Sequence, residues 1–278
     1  ARLAIPALAF NGVPGSAWRF NGQALLSGPM PNGFVSGLQL PLSGRYDGKG
    51  FALYESCQSV RFDSLKIANF ALRSQTLRLC PDAGRPVLST GNGQARFAAN
   101  LQNFDARGSL GSAPLLAKSA SIRFSLNEGF VARDVAVTLG QLDSVTDFTV
   151  AELTGRFGAG GMSGTLQGGS GQIGNVPLLI DEAAGNWRYL NNVLTLDSNL
   201  QVLDAEQVDR FKPVRVPDML LTLENSIIAA IGNIIEPETG TRVAGVDIRH
   251  NLNDSSGRAF LAVDDLRFAE RFQPSLLT

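Results

Sequence analysis

Two cysteines, one histidine and a few closely spaced glycines are the residues of this 278-residue chain whose types could do chemistry. Cys57 and Cys80, with His250, are too few to assemble an ordinary four-ligand zinc site. The cysteines bracket two strand-like runs that could return the chain to its starting point, which favours a Cys57 to Cys80 disulfide. Closing a loop of that length contributes about 3 kcal/mol when unstrained. Two buried thiols in a reducing compartment are the alternative. Any Ser-His or Cys-His nucleophile would have to use His250 as its base. That residue falls on the apolar face of its strand, where a neutral, hydrogen-bonded imidazole is the plainer reading, and no Gly-x-Ser-x-Gly elbow exists.

The run Gly169-Ser170-Gly171-Gln172-Ile173-Gly174 matches the letters of a dinucleotide fingerprint. Its context fails, because that fingerprint needs a strand before it, a helix after it and an acid about 20 residues on. Glycines precede this one, Pro177 follows closely and Asp181 comes too soon. Gly48-Lys49 is followed by Gly50, so there is no Walker-type motif. Acidic residues are scattered, which leaves a glycoside-cleaving carboxylate pair open but unsupported. No catalytic residue, metal or cofactor is assigned.

Composition narrows the classes. A chain with 44% hydrophobic and 18% charged residues folds, and it has fewer charges than the usual ~25% to screen its apolar surface. A net charge of −1 with no basic run leaves no electrostatic footprint for nucleic acid. No stretch reaches the ~18 apolar residues of a membrane-spanning helix. The chain begins at Ala1 and ends just after a strand-like stretch, as an internal piece of a longer protein would.

Apolar alternation runs from end to end while helical periodicity hardly occurs, so the expected fold is all-β, with on the order of 20 strands. Val60 and Phe62 lead to Leu65 and Ile67, then Phe70 and Leu72, Leu77 and Leu79. Phe97, Ala99 and Leu101 follow, then Ile122, Phe124 and Leu126, and Val135, Val137 and Leu139. Strands are expected at 227–235, 242–252 and from 258 on, joined as a meander by turns at 236–240 and 253–257. In the second of these strands Ala244, Val246, Ile248, His250 and Leu252 share a face, continued in the third by Ala259, Leu261 and Val263, with Leu266 and Phe268 beyond. The glycine-rich run 155–174 is the expected flexible or bulged region.

Cys57-Gln58-Ser59-Val60-Arg61-Phe62-Asp63-Ser64-Leu65 through Leu77-Arg78-Leu79-Cys80-Pro81, then Gly245 to Leu252, Ser256-Gly257-Arg258-Ala259 and Leu266-Arg267-Phe268, resemble the YdbH proteins of Gram-negative bacteria, a family of the AsmA-like group of bridge lipid-transfer proteins. The resemblance covers the whole chain as one segment, 1–278, of a longer protein. It implies a long, twisted antiparallel sheet folded into an open U-shaped groove, in a periplasmic protein anchored to the inner membrane by a segment outside this chain. The implied ligands are phospholipid acyl chains moving between the two membranes, without enzyme activity. A small outer-membrane lipoprotein partner, recruited by strand pairing, would also lie outside this segment. An oxidising periplasm suits a Cys57 to Cys80 bridge. Dicarboxylate transport, another label of the family, needs convergent cations, whereas the arginines here look distributed on strand exteriors.

On this reading the groove lining is expected from Ile67, Leu72, Leu77, Leu79, Phe97, Ile122, Phe124, Val135, Val137, Ile248, Leu261 and Val263. Alternation assigns residues to a common face without saying which face is inside. A closed, packed envelope spacer is the structural alternative, and a hydrolase on a β scaffold is the third reading.

Overall fold

The computed structural model describes every residue except 14, 15, 31, 32, 68, 92, 141–144, 159, 175, 255, 264 and 265. The expected turn at 253–257 and the run 155–174 each contain one residue outside that set. Period-two alternation of apolar and polar residues, rich in β-branched and aromatic types, builds strands here as it should. In chain order they are β1 (Arg2–Gly12), β2 (Trp18–Met30), β3 (Gly33–Tyr46), β4 (Phe51–Leu53), β5 (Gln58–Ile67), β6 (Phe70–Pro81), β7 (Leu88–Gly91), β8 (Gln94–Leu110) and β9 (Ala113–Ser125). There follow β10 (Gly129–Leu139), β11 (Thr146–Gly158), β12 (Gly161–Gln172), β13 (Leu178–Leu190), β14 (Val193–Asp204), β15 (Val214–Glu224), β16 (Ile227–Ile235), β17 (Arg242–Asn251) and β18 (Gly257–Ala262). These 18 strands belong to one antiparallel sheet, and a single 3-10 turn at Pro274–Leu276 is the one helical element among the described residues.

The chain divides into two compact units, the first Ala1–Ser109 with Ala117–Ala132 and the second Leu110–Leu116 with Arg133–Thr278. In the first, β1, β2 and β3 form a meander, after which pairing becomes non-local: β3 pairs with both β4 and β5, and β4 with β7. Tyr54, Val87 and Ala99 form a buried cluster there, with Leu53, Leu79 and Phe97 packed against it. The disulfide between Cys57 and Cys80 closes the end of the β5–β6 hairpin beside that cluster.

The second unit is a meander in chain order. Two-residue turns at Asn191-Asn192 and Asn225-Ser226 have positive φ at both positions, the turn geometry whose twist matches that of the strands it joins. Five successive pairings, from β12–β13 to β16–β17, each carry a register shift, and Gly168 and Glu182 sit at two of them with positive φ. Such interruptions of register, bulges among them, bend the strand and sharpen the local twist, so this stretch of sheet is curled. The sequence expectation of a strand continuing to Phe268 is not met. β18 stops at Ala262, and Phe268 instead stacks on Phe272 with ring centroids 5.3 Å apart.

Candidate functional site

In the second unit a row of side chains crosses four adjacent strands: Leu221 on β15 stands opposite Ala230 on β16, Ala230 opposite Ile248 on β17, and Ile248 opposite Ala259 on β18. Ile180, Leu200, Val202 and Met219 extend this floor across β13, β14 and β15, and together with the β12–β13 turn they line a cavity of about 910 Å³. Strand register puts that turn and the β17–β18 turn at opposite ends of the strands and several strands apart. They share one cavity because the face between them is concave. The floor is also packed: Val216, only 1% exposed, forms a cluster with Ala183, Leu200, Met219 and Ala230. An apolar hollow of this size, resting on a close-packed floor, is pre-formed for a long apolar ligand, each buried methylene of which contributes about 0.8 kcal/mol.

The opposite face of the same strands carries more polar and charged groups. Asp218 accepts from the Asn233 amide N–H at 2.8 Å and from Asn233 Nδ2 at 2.6 Å, and Arg242 Nε donates to Asn233 Oδ1 at 2.7 Å. Those bonds, led by the Asn233 side chain, hold the Asp218 carboxyl below its ordinary range. Exposed apolar side chains on this side, Leu220, Ile231 and Phe260, line with Asp218, Asn233, Arg242 and Asp247 a second, more polar hollow of about 530 Å³.

Charged groups shape the two ends of the trough. The guanidinium of Arg210 donates from Nε and Nη2 to the two oxygens of Asp204, at 2.8 and 2.7 Å, and from Nη2 to the Pro177 carbonyl at 2.9 Å. The hydrogen bond from Arg210 is the largest reason that the Asp204 carboxyl lies far below its usual range. This clamp ties the loop after β14 to the turn that closes one end of the cavity. At the other end stand Arg249, His250, Asn253, Asp254 and Arg258. Gly257 faces His250, and a Cβ on Gly257 would lie 3.1 Å from His250 Nδ1, so glycine leaves the ring its room. The turn joining β16 to β17 is organised by Glu236, 1% exposed, whose carboxylate accepts from the Glu238 and Thr239 amides at 2.7 and 2.8 Å and from the Thr239 hydroxyl. Burial pushes that carboxyl up, and these hydrogen bonds outweigh the push and hold it below its ordinary value.

The first unit has its own hollow, about 310 Å³, between β2, β3, β5 and β6. Leu26, Met30, Val35, Leu38, Val60, Phe62, Leu65 and Leu77 line it together with Ala1, Gly28 and Pro29, so no charged residue contributes to its wall. At the other end of β2 and β3, Phe10, Trp18, Phe20, Tyr46 and Phe51 form an aromatic cluster with centroids 4.9 to 5.8 Å apart.

Among the expected lining residues, Ile248 lies on the trough floor and Leu77 in the smaller hollow. Leu79 and Phe97 pack on the Tyr54 cluster, and Phe124 meets Phe97 edge-on at 5.6 Å. Leu72 stands opposite Leu65, and Ile67 opposite Phe70 with both exposed. Ile122, Val135 and Val137 are half-buried on β9 and β10. Leu261, opposite Val246 on the edge strand, and Val263, beyond that strand's end, are exposed. Leu200, Val202, Met219, Leu221 and Ala230, which form the trough, are absent from that set, although the spacing of Leu200 with Val202 and of Met219 with Leu221 is the same period-two signal. The Gly169 to Gly174 run lies mostly in β12 and leads to β13, with a strand where a nucleotide fold needs a helix.

A family profile described as intermembrane phospholipid transport protein YdbH matches residues 6–278. The chain belongs to the YdbH-like family. That family is one of phospholipid transport between membranes, and its profile covers both units. No curated protein and no solved structure matches.

Proposed function

We propose that this chain binds phospholipid acyl chains in the trough of its second unit and passes them on without covalent chemistry, as part of a periplasmic protein that carries lipid between the inner and outer membranes. The observation that carries this is the row Leu221, Ala230, Ile248 and Ala259, an apolar floor crossing adjacent strands beneath a cavity of about 910 Å³. The Cys57 to Cys80 disulfide supports an oxidising compartment. An anchoring segment and a lipoprotein partner bound by strand pairing belong to the same proposal and lie outside this chain. The remaining groove candidates, from Ile67 to Val263, are proposed to extend the tail-contacting surface within their own units.

Adjacent residues on opposite faces test the reading. Leu221→Asp and Leu220→Asp differ by one position and put the same charge on the floor or on the solvent face. An unpaired carboxylate in an apolar site costs several kcal/mol, so Leu221→Asp lowers co-purified phospholipid, counted by native mass spectrometry, by about tenfold or more, while Leu220→Asp leaves it within about twofold. Equal lipid occupancy in both variants, with both folded by circular dichroism, refutes the proposal.

A further inference from the structure

The apolar floor of the second unit does not stop where its cavity does. One row beyond Leu221, Ala230, Ile248 and Ala259, two residues along each strand, Leu223 stands opposite Ile228, Ile228 opposite His250 and His250 opposite Gly257. Period-two alternation keeps this row on the face of the floor. His250 and Gly257 still line the cavity, whereas Leu223 and Ile228 pack against a buried cluster of Leu110, Ala113, Leu139 and Leu252. Leu110 ends β8 and Ala113 begins β9, so much of this cover comes from the tip of the β8–β9 hairpin, and Leu110–Leu116 belongs to the second unit.

The tip is fitted to the margin of the cavity. Ser112 Oγ donates to Asn253 Oδ1 at 2.8 Å, and Asn253 itself lines the cavity. Gly111, with a φ of +59°, approaches the β15–β16 turn so closely that a Cβ there would lie 2.8 Å from Ser226 Oγ. The Gly140 amide donates to the Pro114 carbonyl at 3.0 Å, which holds Leu139 beside the same leucines. Hydrocarbon of the hairpin thus covers floor of the kind that is open to the cavity one row away.

We propose that the β8–β9 tip, through Leu110 and Leu115, is a stop that determines how long an acyl chain the trough accepts. This inference rests on the tail-binding reading above and adds to it a specificity for chain length. The covered row is two residues deep, about 6.6 Å of strand, which is room for several methylenes. Each further methylene buried is worth about fourfold in affinity, so the line between open and covered floor separates chains that differ by a few carbons.

The test offers the intact chain mixed vesicles of dimyristoyl- and distearoylphosphatidylglycerol and reads the ratio captured by mass spectrometry, with Leu110→Ala/Leu115→Ala and Leu110→Met/Leu115→Met beside it. The alanine variant uncovers floor and raises the distearoyl-to-dimyristoyl ratio about fourfold or more, whereas the methionine variant, which conserves volume, keeps the ratio within about twofold of the parent. Capture of the dimyristoyl lipid reports that each variant is folded. An unchanged ratio in a folded alanine variant, or an equal shift in the methionine variant, overturns the stop and leaves tail binding standing. Should the alanine variant capture neither lipid, the unsubstituted chain decides, loaded with distearoylphosphatidylglycerol that bears a diazirine at the end of one tail. Photolabel within 110–116 then upholds the stop, and label confined to other residues overturns it. Capture of neither lipid by the unsubstituted chain overturns the trough reading and the stop together.

Discussion

The two units reach an apolar hollow by different routes. In the second, five successive strand pairings each carry a register shift, the meander curls, and a wide trough ending in charged side chains results. In the first, pairing is non-local, a disulfide closes the β5–β6 hairpin, and the hollow is about a third as large, about 310 Å³ against about 910 Å³. The first unit also carries register shifts, in β1–β2 and β2–β3, but its later strands pair out of chain order and its hollow is the smaller. The comparison assigns capacity to the second unit and cohesion to the first.

Each unit contains one tryptophan, Trp18 in the first and Trp187 in the second, so Trp187→Phe and Trp18→Phe backgrounds report on them separately. The largest effect is expected from Phe62→Ala. Phe62 is 3% exposed and its ring forms part of the first unit's tight hollow, so truncation costs about 3–5 kcal/mol in a denaturant titration followed by Trp18. Next, replacing Cys57 and Cys80 with serine costs about 3 kcal/mol in the same unit and leaves the Trp187 transition in place. A matching loss at Trp187 would end the separation of roles. Met219→Ala, on a wall that already borders open space, is expected at the low end for such a truncation, about 2 kcal/mol, with phospholipid occupancy retained.

The smallest effect is that of Glu236. Its folded carboxyl titrates below the ordinary value of 4.5, so its contribution to stability is complete above that pH and is lost as the pH falls through the lowered folded value. Glu236→Gln removes this acid dependence and lowers the Trp187 melting midpoint at neutral pH by about 2–4 °C. A variant as acid-sensitive as the parent would show that the turn after β16 is held by other groups.

The meander at 227–235 and 242–251 was legible in the sequence because each strand pairs with its sequence neighbour and alternates cleanly. The Cys57 to Cys80 link was legible for the same local reason, since the two residues bracket one hairpin. Pairing of β3 with β5 and of β4 with β7 was not, because nothing local marks a contact between strands that are not consecutive. The inside face was also hidden. Leu220 and Leu221 are the same residue type one position apart, and only the shape of the folded sheet decides which of them faces the trough and which the opposite side.

The floor that crosses Leu221, Ala230, Ile248 and Ala259 advances by one strand at a time, about 4.8 Å per step. Reach is therefore a matter of hairpin number: each duplicated hairpin would lengthen such a track by about 9–10 Å while leaving the existing walls untouched. A gene encoding a surface of this kind can be fitted to a wider or narrower gap by copying short stretches, with the bore fixed independently by where the bulges fall.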